Sequence, residues 1–87
     1  MKTILIVEDT ELNVDLLTQL LEDDYQLLVA RDGAESVLVT EKNKPDLILM
    51  DISLPVMDGY EAARQIHQRY PTLPIIGISA NAMKSDH

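Results

Sequence analysis

Three apolar runs in this 87-residue chain each stop on polar residues that could do chemistry together. Thr3-Ile-Leu-Ile-Val7 runs into Glu8-Asp9, Asp46-Leu-Ile-Leu-Met ends in Asp51, and Pro74-Ile-Ile-Gly-Ile78 ends in Ser79. Short continuous apolar runs bounded by polar residues read as strands buried on both faces. If the strands are parallel neighbours, their ends share one rim of the sheet, which is where open α/β sheets bind ligands. Three carboxylates and a hydroxyl would then fall into one pocket. Like charges held that close repel unless a cation sits between them, and hard oxygen ligands with room for water suit Mg²⁺. The pattern predicts a metal-assisted carboxylate site built on Glu8, Asp9 and Asp51.

Taken singly, each of these residues has a plainer explanation. Acids near a helix N-terminus favour the dipole and can cap it, which would account for Glu8-Asp9. Asp51 alone would be an ordinary residue at the entry to a loop, and a Ser after a strand is commonly a turn former. Their joint occurrence at three strand ends is what favours chemistry. His67 falls between Ile66 and Gln68 on a polar helical face and reads as a solvated residue.

Helical spacing separates the strand-like runs. Leu12, Leu16 and Leu20, with Leu17 and Leu21 beside them, form an apolar stripe at three- and four-residue intervals, with Asp9 or Thr10 as the N-cap. Acids Glu22 to Asp24 close that helix against its dipole. Gln26–Ala30 reads as a strand, and Asp32-Gly-Ala-Glu35 has the capping-box arrangement opening a helix over Ala34, Val37 and Leu38 that stops before Pro45. Asp58-Gly-Tyr-Glu61 repeats the capping logic ahead of Ala62, Ala63, Ile66 and Tyr70, and Pro71 and Pro74 mark the loop to the next strand. The expected order is β-α-β-α-β-α-β, an α/β fold with a parallel sheet and right-handed crossovers. Strand order is not readable from periodicity.

Composition removes several function classes. The formal charge of −8 opposes nonspecific binding to nucleic acid or anionic membrane, and three Tyr with no Phe or Trp give little surface for base stacking. There is no cysteine for a disulfide framework or thiol catalysis, and no apolar stretch long enough to span a bilayer. The N-terminus runs into Glu8-Asp9 without the apolar core of a signal peptide, so a cytoplasmic protein of one domain, residues 1–87, is expected.

Ile6-Val-Glu-Asp9, Pro45-Asp-Leu-Ile-Leu-Met-Asp51, Leu54-Pro-Val-Met-Asp-Gly59 and Ile78-Ser-Ala-Asn-Ala-Met83 stand in the order found in response-regulator receiver domains of two-component signalling. The resemblance spans the whole chain. It implies a flavodoxin-like sheet, strand order 2-1-3-4 here, with helices on both faces. It further implies that Asp51 is the phosphoacceptor and that Mg²⁺ is held by Asp9, by Glu8 through water, by Asp51 and by the backbone carbonyl of Ser53. Ser79 would be the hydroxyl that contacts the phosphoryl group and carries a switch into the following loop. The partner would be a histidine kinase or a histidine phosphotransfer protein.

The family carries a lysine at the end of a fifth strand, and the chain stops at His87, before that strand. The expectation is an incomplete receiver whose fourth strand, Pro74 to Ser79, is a sheet edge that pairs with a second copy, giving a homo-oligomer. An alternative is a fragment acting only as an interaction or oligomerisation module, without productive phosphorylation. A phosphatase of the haloacid-dehalogenase type is disfavoured by Ser53, where that family has a second Asp. An FMN site would need a hydroxyl- and Gly-rich loop where Glu8-Asp9-Thr-Glu11 stands.

Overall fold

The computed structural model describes residues 1–51 and 59–78. Strand β1 (Thr3–Val7) is followed by α1 (Glu11–Leu21), β2 (Gln26–Ala30), α2 (Gly33–Asn43), β3 (Leu47–Asp51), α3 (Gly59–Arg69) and β4 (Ile75–Ile78). The four strands form one parallel sheet in the order β2-β1-β3-β4, the flavodoxin-like arrangement.

Crossover handedness assigns the helices to faces. The chain moves from β1 out to β2, then reverses past β1 to β3 and on to β4. With right-handed crossovers, that reversal puts α1 on one face of the sheet and α2 and α3 on the other. Accordingly α2 and α3 pack on each other, and they share one core made of Leu5, Val7, Ala30, Ile48, Met50, Ala62 and Ile66. Ile4 and Ile6, also fully buried, alternate with Leu5 and Val7 and so face the α1 side.

β1 is paired on both edges. Its register sets Val7 opposite Ala30 of β2 and opposite Met50 of β3. The lower end of the pair is locked reciprocally: the Thr3 N–H donates to Asp46 Oδ2 at 2.8 Å, and the Asp46 N–H donates to the Thr3 carbonyl at 2.8 Å. β4 joins the other edge of β3, with Ile78 beside Asp51. Among the described residues it is an outer strand, with Ile76 half-exposed.

Capping at α2 follows the sequence. Asp32 accepts a hydrogen bond from the Glu35 N–H at 2.8 Å, and Glu35 reaches back to the Arg31 N–H at 2.8 Å. The helix ends at Lys44 in the left-handed region (φ 49°), immediately before Pro45. The corresponding cap of α3, expected at Asp58, lies outside the described residues.

The expected stripe on α1 is corrected in part: Leu17 and Leu21 turn toward the sheet, and Leu12, Leu16 and Leu20 do not. Val14 is the buried residue of the helix, with Leu17, Thr18 and Leu21 half-buried on the same side, whereas Leu12, Leu16 and Leu20 are 65%, 46% and 75% exposed. Residues 14, 17, 18 and 21 and residues 12, 16 and 20 are two lines on nearly opposite sides of one helix. Both satisfy the period, and only the fit of the helix to β1 and β2 selects between them. Leu20→Lys should therefore change stability by no more than about 0.5 kcal/mol. Val14→Ala should cost roughly 2 kcal/mol from lost burial and the cavity left behind. Urea midpoints of the two variants check the orientation of α1.

Candidate metal and phosphoryl site

The site begins with the register of β1 and β3. Because Val7 and Met50 are partners in parallel strands, the next residues, Glu8 and Asp51, stand side by side at the end of the pair. The Glu8 N–H still donates to the Ala30 carbonyl at 3.0 Å, so the backbone at Glu8 is held as firmly as the strand before it. Asp51 is itself the last residue of β3, one residue further than the sequence reading put the strand end. Glu8 and Asp51 are 3% and 4% exposed, while Asp9 faces solvent.

Carboxylate oxygens of Glu8, Asp9 and Asp51 lie within 4.8 Å of one another. Two unit charges at such a separation repel by about 1 kcal/mol in bulk water and by roughly 3 to 4 kcal/mol at the effective dielectric of a protein surface. The Glu8 carboxyl is pushed above its ordinary range, chiefly by burial and only in smaller part by this repulsion. Burial is the largest cause, opposed by hydrogen bonds from the Thr10 backbone and the Asn13 side chain, with the charges of Asp51 and then Asp9 adding to the rise. Three hard oxygen donors, two sheltered and one open to water, can hold a divalent cation that keeps part of its hydration shell.

The acids are not spent on helix capping. Thr10 is the N-cap of α1, and no side-chain bond caps the helix there. Asp9 instead accepts a long 3.4 Å contact from the Thr10 hydroxyl, and Glu8 Oε2 accepts from the Thr10 N–H at 3.1 Å, turning the chain sharply out of β1. The plain reading of Glu8-Asp9 as side-chain cap acids thus loses its support, while their place at the N-terminal end of α1 still suits the helix dipole.

Of the residues expected in the site, Glu8, Asp9 and Asp51 come together, while Ser53 and Ser79 lie outside the described residues. His67 is exposed on α3, as a solvated residue should be. Asn13 went unnoticed in the sequence. Its only signal there is a polar residue in the first turns of α1, one residue ahead of the buried Val14.

Comparison with known proteins agrees with this geometry. The response regulator receiver domain family matches residues 4–87. The chain is 39% identical over 88 residues to the polar-differentiation response regulator DivK of Brucella anthropi, covering 98% of this chain and 72% of that protein. It is 42% identical over 84 residues to the sensor histidine kinase RcsC of Escherichia coli K12, covering 95% of this chain but only 9% of that much longer protein. Among solved structures, the receiver domain of sensor histidine kinase PA1611 from Pseudomonas aeruginosa, which has a magnesium ion coordinated in its active site cleft, superposes with a TM-score of 0.87. Its identity is 38%, over 98% of this chain and 72% of that one. With the sheet order, the acid cluster and these matches in agreement, the chain belongs to the response regulator receiver domain family.

Proposed function

We propose that the protein is a phosphoacceptor signalling module in which Asp51 takes a phosphoryl group from a histidine kinase or histidine phosphotransfer protein. The observation that carries this reading is the convergence of Glu8, Asp9 and Asp51 at one end of adjoining parallel strands. Its direct relatives include both a response regulator and a sensor kinase, the two protein types between which such a phosphoryl group passes.

In the proposed transfer an Asp51 carboxylate oxygen attacks phosphorus while the P–N bond of the donor phosphohistidine breaks, its electron pair returning to the imidazole. The product is an acyl phosphate on Asp51. Mg²⁺, when bound, supplies the positive charge that lets two anions approach. Asp9, Asp51 and, through water, Glu8 would hold it, a set that fits a hard cation because every donor is oxygen. By their places in the family pattern, the Ser53 carbonyl joins the metal ligands and the Ser79 hydroxyl donates to a phosphoryl oxygen. The role is that of a switch more than of an enzyme, and a cytoplasmic setting goes with it. No helix among the described residues is long and apolar enough to cross a membrane.

Incubation with Mg²⁺ and a small phosphodonor should place a base-labile label on Asp51, detectable by intact mass and by peptide mapping, and Asp51→Asn should abolish it. A label on His67 or Ser79, or none on the folded protein, would sink the transfer reading. The last outcome would leave an interaction module.

Acidity gives a second check. A carboxyl raised in the fold binds its proton more tightly than in the unfolded chain. Its stabilising contribution is thus complete below the ordinary value of 4.5 and is lost as pH rises through the raised value. Without metal, Glu8→Gln should be at least as stable as the parent at neutral pH, with the advantage shrinking as pH falls toward 4.5. Thermal melts of the pair in chelator test the sign. A parent that gains stability over Glu8→Gln on going from acid to neutral pH would contradict it.

A homo-oligomer around β4 belongs to the same proposal, supported by the outer position of the strand among the described residues and by the half-exposed Ile76. Sedimentation over a dilution series should show concentration-dependent association, and a monomer throughout would remove it.

A further inference from the structure

Away from the acid cluster, a cleft of about 430 Å³ opens at the other end of the sheet, between the turn from α2 to β3 and the turn from α3 to β4. Its rim carries the exposed residues Lys44, Arg69 and Thr72, and Pro45, Leu73 and Pro74 give it apolar walls. Thr40, only 1% exposed, forms its floor. Among the described residues, the Thr40 hydroxyl is the one buried side-chain polar atom without a hydrogen-bond partner. Such a group costs stability unless something answers it.

The polar groups that line this cleft are mostly donors. Lys44 forms no ion pair among the described residues, and Arg69 gives Nη1 to Glu41 and keeps further N–H groups. The Thr40 and Thr72 hydroxyls can donate as well. The acid of the lining, Asp46, is already engaged, its Oδ2 accepting from the Thr3 N–H at 2.8 Å. An unpaired cation, spare donors and apolar walls suit a small molecule that is an acceptor at one end and apolar at the other. One unpaired ammonium balances a single negative charge, which favours a carboxylate over a phosphate dianion. Cations at the ends of α2 and α3 also suit the helix dipoles, and that plainer role would account for Lys44 and Arg69. It does not account for the buried hydroxyl, nor for the backbone of Lys44, which sits in the left-handed region (φ 49°) where glycine is the unpenalised residue.

We propose that this cleft binds a small organic carboxylate with an apolar body, its charge held by Lys44 and one carboxylate oxygen taken by the Thr40 hydroxyl, while the body lies on Pro45, Leu73 and Pro74. Asp46 immediately precedes β3 and Asp51 ends it, so the cleft and the acid cluster stand at opposite ends of one strand. The site rests neither on the metal nor on phosphoryl transfer.

The test is titration of the full isotope-labelled protein with benzoate, with benzamide as its neutral isostere, and with inorganic phosphate, followed by backbone amide chemical shifts. Benzoate at millimolar concentration should give saturable shifts confined to the α2–β3 and α3–β4 turns, and benzamide should bind about tenfold more weakly for want of the charge. Lys44→Gly should weaken benzoate about tenfold while leaving the melting temperature unchanged or raised, since glycine suits that backbone. Thr40→Val should weaken it about fivefold with a melting temperature no lower than the parent's, since an unanswered hydroxyl is removed. Affinity and stability thus move apart, which a merely structural role for either residue would not produce. Should Thr40→Val fail to fold, Lys44→Gly and benzamide still decide. Shifts in the parent that do not saturate or that scatter elsewhere, equal binding of benzamide, tighter binding of phosphate, or a benzoate affinity within about twofold of the parent's in either folded variant would overturn the proposal.

Discussion

The pairing of β1 with β3 is the constraint on which the molecule turns. β1 is hydrogen-bonded along both edges and covered on both faces, so its residues have no freedom to trade burial for exposure. A slip of one residue would send Leu5 and Val7 to the α1 side and Ile4 and Ile6 into the α2–α3 core, and would also move Glu8 away from Asp51. The apolar fit of the strands thus fixes the separation of the acids. Precision at the rim comes from packing below it, and the reciprocal Thr3 and Asp46 bonds hold the opposite end of the same pair.

That arrangement sets stability against chemistry at one location. Two carboxylates are held nearly out of water and beside a third, an arrangement that folding alone would avoid. The strain is local. The Thr10 N–H answers the Glu8 carboxylate with a neutral hydrogen bond, and Asp9 keeps its access to solvent. The rest of the surface is conventional, with exposed ion pairs that contribute little to stability.

Much of this was legible in the sequence, for reasons that differ from element to element. The strands could be found because double-sided burial leaves uninterrupted aliphatic runs, and the acids because they interrupt those runs at their ends. The Asp32 cap was legible because a capping box is local chemistry. The phase of α1 was not, since Leu12, Leu16 and Leu20 keep the same period as the line of Val14, Leu17 and Leu21, and a period carries no reference to the sheet. Of the two residues offered for the cap, Asp9 and Thr10, the fold takes Thr10, beside the turn made by the Glu8 carboxylate and the Thr10 N–H. The order of the strands came from family likeness alone.

Glu8 and Asp51 are 43 positions apart in the chain (51 − 8 = 43), with a helix, a strand and a second helix between them. In an unfolded ensemble the acids are therefore strangers, and no part of the molecule smaller than the β1–β3 pair brings them together. Parallel pairing across so long an interval closes a large loop and forms slowly. The cluster is in that sense a late product of folding. A ligand that needs all three carboxylates recognises only the finished sheet, so its effect on kinetics falls on the rate of unfolding and leaves the rate of folding nearly untouched.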